Sequence, residues 1–135
     1  TFGEFGPGNG GYYLATAFDE IHLQPSGDVG LTGLIYESPF IRGLLEKLEI
    51  VPEMAQRHEY KNAMNSYTET EYTAAHREAM DVLMGSQFDQ MVRGIAKARG
   101  LEESAVRELF DQWPFLGDEA LEAGLVDGML YEDDV

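Results

Sequence analysis

The chain has 135 residues, 44% of them hydrophobic and 25% charged, which is enough to bury the core of one small folded domain. Its net charge of −16 argues against nucleic acid and anionic membrane surfaces as partners, because the phosphate attraction that dominates those affinities becomes repulsive. The absence of cysteine excludes disulfides, thiol nucleophiles and cysteine-ligated zinc.

No apolar run approaches the length of about 18 residues that a membrane-spanning helix needs. The first residues lack the basic start and apolar middle of a signal peptide. Without an initiator methionine, the chain is expected to be a processed, excised or truncated piece of a longer protein.

In chain order, Gly6-Pro7-Gly8-Asn9-Gly10-Gly11 predicts a tight turn that feeds a short apolar helix over 12–19. It matches neither nucleotide fingerprint, so a structural turn is the simpler reading. Glu20 to Pro25 alternates polar and apolar as a half-buried strand does, and a second extended stretch is expected over 29–35. Ser38-Pro39 predicts a helix start running to about Leu48, followed by a strand over 50–60 that Pro52 weakens.

A short helical piece after Lys61 and a polar surface loop over 66–73 lead to Thr73, a good N-cap for a long helix ending at Gly100. That helix carries the stripe Met80, Met84, Phe88, Met91 and Ile95, expected to pack in a core. A further helix bears Val106, Leu109, Phe110 and Trp113 and stops at Pro114, and Asp118 is expected to cap another over 119–123. Only about three strands result, all before residue 61. Such a sheet is a small platform for four or five helices, so the sheet is expected to be completed by other chain.

Chemistry is sparse. His22, His58 and His76 show no metal spacing, and each is expected to be structural. None of Ser26, Ser38, Ser66, Ser86 and Ser104 sits in a nucleophile-like turn. Lys61 remains. A free lysine has a pKa of about 10.4, so service as a general base at neutral pH requires a fall of about three units, or roughly 4–5 kcal/mol. Desolvation and a helix beginning at Lys61 favour that fall, whereas the surrounding acidic charge opposes it. On residue type alone, Lys61 reads as a surface ion-pair partner of Glu59.

Several segments, in order, change that reading. Tyr12-Tyr13-Leu14-Ala15-Thr16-Ala17-Phe18-Asp19-Glu20-Ile21, Gly30-Leu31-Thr32-Gly33, Tyr60-Lys61-Asn62-Ala63, Arg99-Gly100-Leu101 and Glu119-Ala120-Leu121-Glu122-Ala123-Gly124-Leu125-Val126-Asp127 resemble the signal peptide peptidase A, or protease IV, family. The resemblance implies an α/β protein of the Clp-protease/crotonase-like fold, here incomplete, over residues 1–135. It implies a serine endopeptidase that degrades cleaved signal peptides with a Ser–Lys dyad. Lys61 matches the family's lysine in its Tyr-Lys-x-Ala context. The family's serine context, Ser-Gly-Gly-Tyr, reads Asn9-Gly10-Gly11-Tyr12 here, so Asn9 stands in the nucleophile's place.

Long members of the family take the lysine from an amino-terminal half and the serine from a carboxy-terminal half. This chain is therefore expected to be part of the amino-terminal half, without its first strands and inactive alone. The implied partners are the serine-bearing half, signal-peptide substrates and further copies in a ring-like homo-oligomer. The implied location is the periplasmic side of a bacterial inner membrane, anchored by a helix outside this chain. No cofactor and no metal is implied. The alternatives are a non-catalytic scaffold of the same fold and a crotonase-like acyl-CoA enzyme, the latter disfavoured by the acidic charge.

Overall fold

The computed structural model describes residues 1–3 and 8–134. The chain divides into two units, one of Thr1–Leu34 with Phe88–Val135 and one of Ile35–Gln87.

In the first unit, β1 (Phe2–Gly3), β2 (His22–Leu23) and β5 (Gly128–Met129) form a parallel sheet in the order β1-β2-β5. Phe2 pairs with His22, Leu23 with Gly3, and His22 with Gly128. Parallel neighbours need a crossover, and α1 (Gly8–Ala15) lies between β1 and β2 in the chain. The predicted alternation holds around β2, where Ile21 and Leu23 are buried and Glu20 and Gln24 are not. Of the extended stretch expected at 29–35, only β3 (Asp28–Val29) pairs, antiparallel to β4 (Phe115–Leu116).

Strands β4 and β5 correct the expectation that strands end before residue 61. At two residues each, they are too short for a period-2 pattern to register.

The helix expected at 12–19 begins earlier and ends earlier. It runs through the glycines from Gly8 and buries Tyr12. Its end is closed by tight turns, with the Ala17 and Phe18 N–H groups donating to Leu14 and Ala15 at 3.0 and 3.1 Å. The Thr16 hydroxyl also donates to Tyr13 O at 2.7 Å, an alternative to continued helix.

Helix α4 (Ala74–Arg99) starts and stops as expected. Thr73 Oγ1 accepts the His76 N–H at 3.2 Å. Gly100 takes a φ of 66°, and the Leu101 N–H returns to Ala96 O at 3.0 Å. The methionine stripe is only half a core face. Ile95 is buried, but Met80, Met84, Phe88 and Met91 are partly covered, and the buried set is completed by Val92 and Ala96.

Helix α5 (Glu103–Phe110) buries Val106 and ends before Trp113, which is half-exposed rather than part of the helical face. Helix α6 (Gly117–Glu122) is not capped by Asp118. Instead the Glu119 carboxylate accepts the Leu116 N–H at 3.0 Å.

Gly117 is required where α6 leaves β4. A Cβ there would lie 2.7 Å from Met129 Sδ and 3.0 Å from Pro25 O. Gly117→Ala is expected to destabilise the fold by about 1–3 kcal/mol, read as an earlier denaturant midpoint at unchanged m-value.

The second unit is built differently. Helix α2 (Arg42–Lys47) starts later than Ser38-Pro39 predicts, because the Ile41 N–H donates to Ser66 O at 2.8 Å instead of staying within a helix. The Arg42 guanidinium then links Glu46 Oε1 at 2.8 Å and Thr68 O at 2.6 Å. No strand forms over 50–60. The run has β-propensity but no ladder partner among the described residues, and a strand without a partner is only extended chain. A 3₁₀ turn (Asn62–Met64) passes into α3 (Asn65–Thr68), so the polar loop expected at 66–73 begins only at Glu69.

Every fully buried hydrophobic side chain among the described residues belongs to the first unit. The buried residues of the second are polar, Asn65 at 1% exposure and His76 at 4%. Meanwhile Leu44, Leu48, Ile50, Val51 and Met54 stand exposed.

Candidate functional site

Residues 57–65 carry the candidate lysine. The chain turns at His58, which takes a left-handed φ of 73° that histidine adopts more readily than branched residues. The Lys61 N–H closes this turn on His58 O at 3.2 Å. Lys61 then precedes the 3₁₀ turn as its N-cap residue, at φ −87° and ψ 73°. The expected change from non-helical chain to helix at Lys61 is therefore present, though the non-helical part is a turn and not a strand.

The Lys61 side chain is exposed, and among the described residues it forms no ion pair. Its expected pairing with Glu59 is absent among them. Its neighbours are better fixed. The Tyr60 hydroxyl donates to Glu78 Oε2 on α4 at 2.8 Å. That bond, with the Glu78 charge behind it, holds the phenol above its ordinary range.

On the other side of Lys61, the Asn65 amide lies 3.4 Å from each of Asn62 Oδ1, Thr73 Oγ1 and His76 Nδ1. The His76 ring meets Tyr72 edge-on at 4.7 Å and Phe40 at 6.2 Å. The structural role expected of His76 holds. Residue-type reasoning missed Asn65, since an asparagine in a polar stretch carries no signal until its burial is known.

Asn9 lies in the first turn of α1, in the first unit, whereas Lys61 belongs to the second. The Asn9 Nδ2 group donates to Thr32 Oγ1 at 3.2 Å and to Gly33 O. Its Oδ1 is buried and finds no partner among the described residues. An amide is no nucleophile for acyl transfer, so the position before Gly10-Gly11-Tyr12 offers no attacking atom.

A second polar assembly was not anticipated. The Arg99 guanidinium donates to both Asp127 oxygens at 2.8 Å and to Gly124 O at 2.7 Å. Asp127 in turn accepts the Ile21 N–H at 2.8 Å, and its own N–H donates to Ile21 O at 2.8 Å. The Tyr12 hydroxyl donates to Leu125 O at 2.7 Å, and burial pushes this phenol well up. These groups join α1, β2, the end of α4 and the segment after α6. They are a structural tie, with no open coordination position or nucleophile.

Among the described residues, no helix is long and apolar enough to cross a membrane.

Comparison with known proteins gives these positions a context. The chain is 27% identical over 124 residues to the chloroplastic serine protease SPPA of Arabidopsis thaliana, a match covering 92% of this chain and 18% of that protein. It is 29% identical over 126 residues to a putative signal peptide peptidase SppA of Enterococcus faecium, covering 93% of this chain and 36% of that one. With protease 4 of Haemophilus influenzae it shares 27% identity over 97 residues, 72% of this chain and 16% of the relative. The chain thus spans well under half the length of these relatives. The profile of peptidase family S49 matches residues 6–135, and with the protease relatives this shows that the chain belongs to peptidase family S49.

Proposed function

We propose that this chain is the lysine-bearing, amino-terminal half of a serine endopeptidase with the Clp-protease/crotonase-like fold, acting on cleaved signal peptides through a Ser–Lys dyad. The observation that carries the reading is a half-site. Lys61 stands free of ion pairs among the described residues at the head of a helical turn, while the position matching the serine holds Asn9.

In this reading a serine from the carboxy-terminal half attacks the scissile carbonyl carbon. Lys61 Nζ, neutral at that moment, takes the hydroxyl proton and later returns one to the leaving amine. Backbone N–H groups of the serine-bearing half stabilise the oxyanion. Lys61 is exposed in this chain, so the apolar surroundings that favour a neutral amine must be supplied by the half that brings the serine. The second unit's exposed apolar side chains are consistent with such a covering surface. The signal-peptide substrate class is taken from the name of the Enterococcus faecium relative. A homo-oligomer at the periplasmic face of a bacterial inner membrane, anchored outside this chain and needing no cofactor, completes the proposal.

The test is the full-length protein treated with a serine-directed fluorophosphonate and mapped by mass spectrometry. One labelled serine outside these 135 residues is expected. A label on Ser26, Ser38, Ser66, Ser86 or Ser104 would overturn the split site. A full-length protein that takes no label and cleaves no peptide is instead a scaffold of the family.

A further inference from the structure

Lys61 projects from a short segment in a unit whose buried residues, among those described, are polar and whose helices other than α4 are brief. Something must nonetheless hold the lysine's backbone in one place. A general base has to lie within hydrogen-bond reach of its proton, and a displacement of 1 Å costs about a hundredfold in rate.

Two ties to α4 flank it. Before Lys61, the Tyr60 hydroxyl reaches Glu78 Oε2 at 2.8 Å. After it, the Asn65 amide sits among Asn62 Oδ1, Thr73 Oγ1 and His76 Nδ1, each at 3.4 Å. Thr73 Oγ1 is itself fixed by the His76 N–H at 3.2 Å.

The burial pattern speaks against these groups being mere filling. Two apolar side chains of similar volume would be cheaper to bury than Asn65 and His76, at 1% and 4% exposure. What the polar pair adds is direction, because its bonds are satisfied in few arrangements of the backbone. Asn62 is both a member of this group and the residue after Lys61, so the constraint passes directly to the lysine.

We infer that the Asn65–His76–Thr73 group and the Tyr60–Glu78 bond form a two-sided clamp that positions Lys61 for proton transfer. Asn65, His76, Tyr60 and Glu78 are positioning residues, and their assignment rests on the reading of Lys61 as the base.

Steady-state peptide hydrolysis by the full-length enzyme tests the clamp. Tyr60→Phe and Glu78→Ala break an exposed bond, so folding should survive, with kcat down about tenfold and KM within about twofold of wild type. Glu78→Gln keeps an acceptor oxygen and should recover most of the loss. Asn65→Leu and His76→Leu keep the volume and remove the direction, and kcat should fall about a hundredfold at little-changed KM. If the leucine variants do not fold, the exposed Tyr60–Glu78 pair decides. Wild-type kcat in folded variants, or losses confined to KM, would overturn the clamp. Lys61→Met run alongside separates the two ideas. Normal turnover there removes the base assignment and the clamp with it, whereas a dead Lys61→Met beside fully active clamp variants removes the clamp alone.

Discussion

Replacing Lys61 by methionine in the full-length protein is expected to lower kcat for peptide hydrolysis by at least about a hundredfold, and up to about ten-thousandfold, the range that removal of a positioned base produces. Methionine keeps the stem length and removes the amine proposed to take the serine's proton. The side chain is exposed and makes no ion pair among the described residues. Its loss should therefore change stability by no more than about 0.5 kcal/mol, as for other exposed positions. Melting temperature and gel-filtration volume should match wild type. That combination, a dead enzyme with an intact fold, separates a base from a structural lysine. Turnover within a few-fold of wild type would end the assignment.

Arg99→Met is expected to cost about 3 kcal/mol of stability, the largest single loss predicted for the first unit's polar ties. Three charge-assisted bonds disappear, two to Asp127 and one to Gly124 O. The guanidinium side chain is only 12% exposed, so water replaces these bonds poorly at its end. Asp127 is 34% exposed, and solvent screening there keeps the cost below that of a fully buried pair.

The loss should depend on pH. Bonding to Arg99 is the main reason the Asp127 carboxyl lies below its ordinary range. Partial burial opposes this, and the Ile21 N–H and the Arg99 charge add to it. A folded-state value lower than the unfolded one gives stability that is complete above the unfolded value of about 3.9 and drains away as pH falls through the folded one. The gap between wild type and Arg99→Met in urea titrations should be widest above about pH 4 and narrow below it. A gap that stays constant down to pH 2 would show that the carboxylate is not the group being stabilised.

The fold was legible where a local rule has a local cause. Thr73 and Gly100 bound α4 because a hydroxyl and a positive φ act within one turn of the chain. Gly124 ends α6 for the same reason, with a φ of 71° and the Leu125 N–H returning to Ala120 O. Where the cause is distant, the reading slipped. Helix α1 runs through glycines that read as a turn, and what it buries is Tyr12, whose hydroxyl is bound 113 residues away at Leu125. The run at 50–60 has strand propensity, but among the described residues no strand lies beside it.

At the candidate site, the placement of Lys61 ahead of a helical turn was readable from its own neighbours. The Asn65–His76 contact was not, because it joins two ordinary residue types 11 positions apart. Likewise Arg99-Gly100-Leu101 and Gly124-Leu125-Val126-Asp127 each belonged to the resemblance, but only coordinates show that one binds the other.

The division of the chain also fixes an order of events during synthesis. The first unit's sheet needs β5 at Gly128–Met129 beside β2 at His22–Leu23, so most of the chain must leave the ribosome before that sheet can close. At about 5–20 residues per second, the leading segment waits several seconds with the β5-facing edge of β2 unpaired. Residues 35–87 meet no such delay, since the partners of Asn65 and Tyr60 follow within 18 positions. The lysine-bearing segment can thus be shaped before the sheet whose strands lie on both sides of it in sequence is complete.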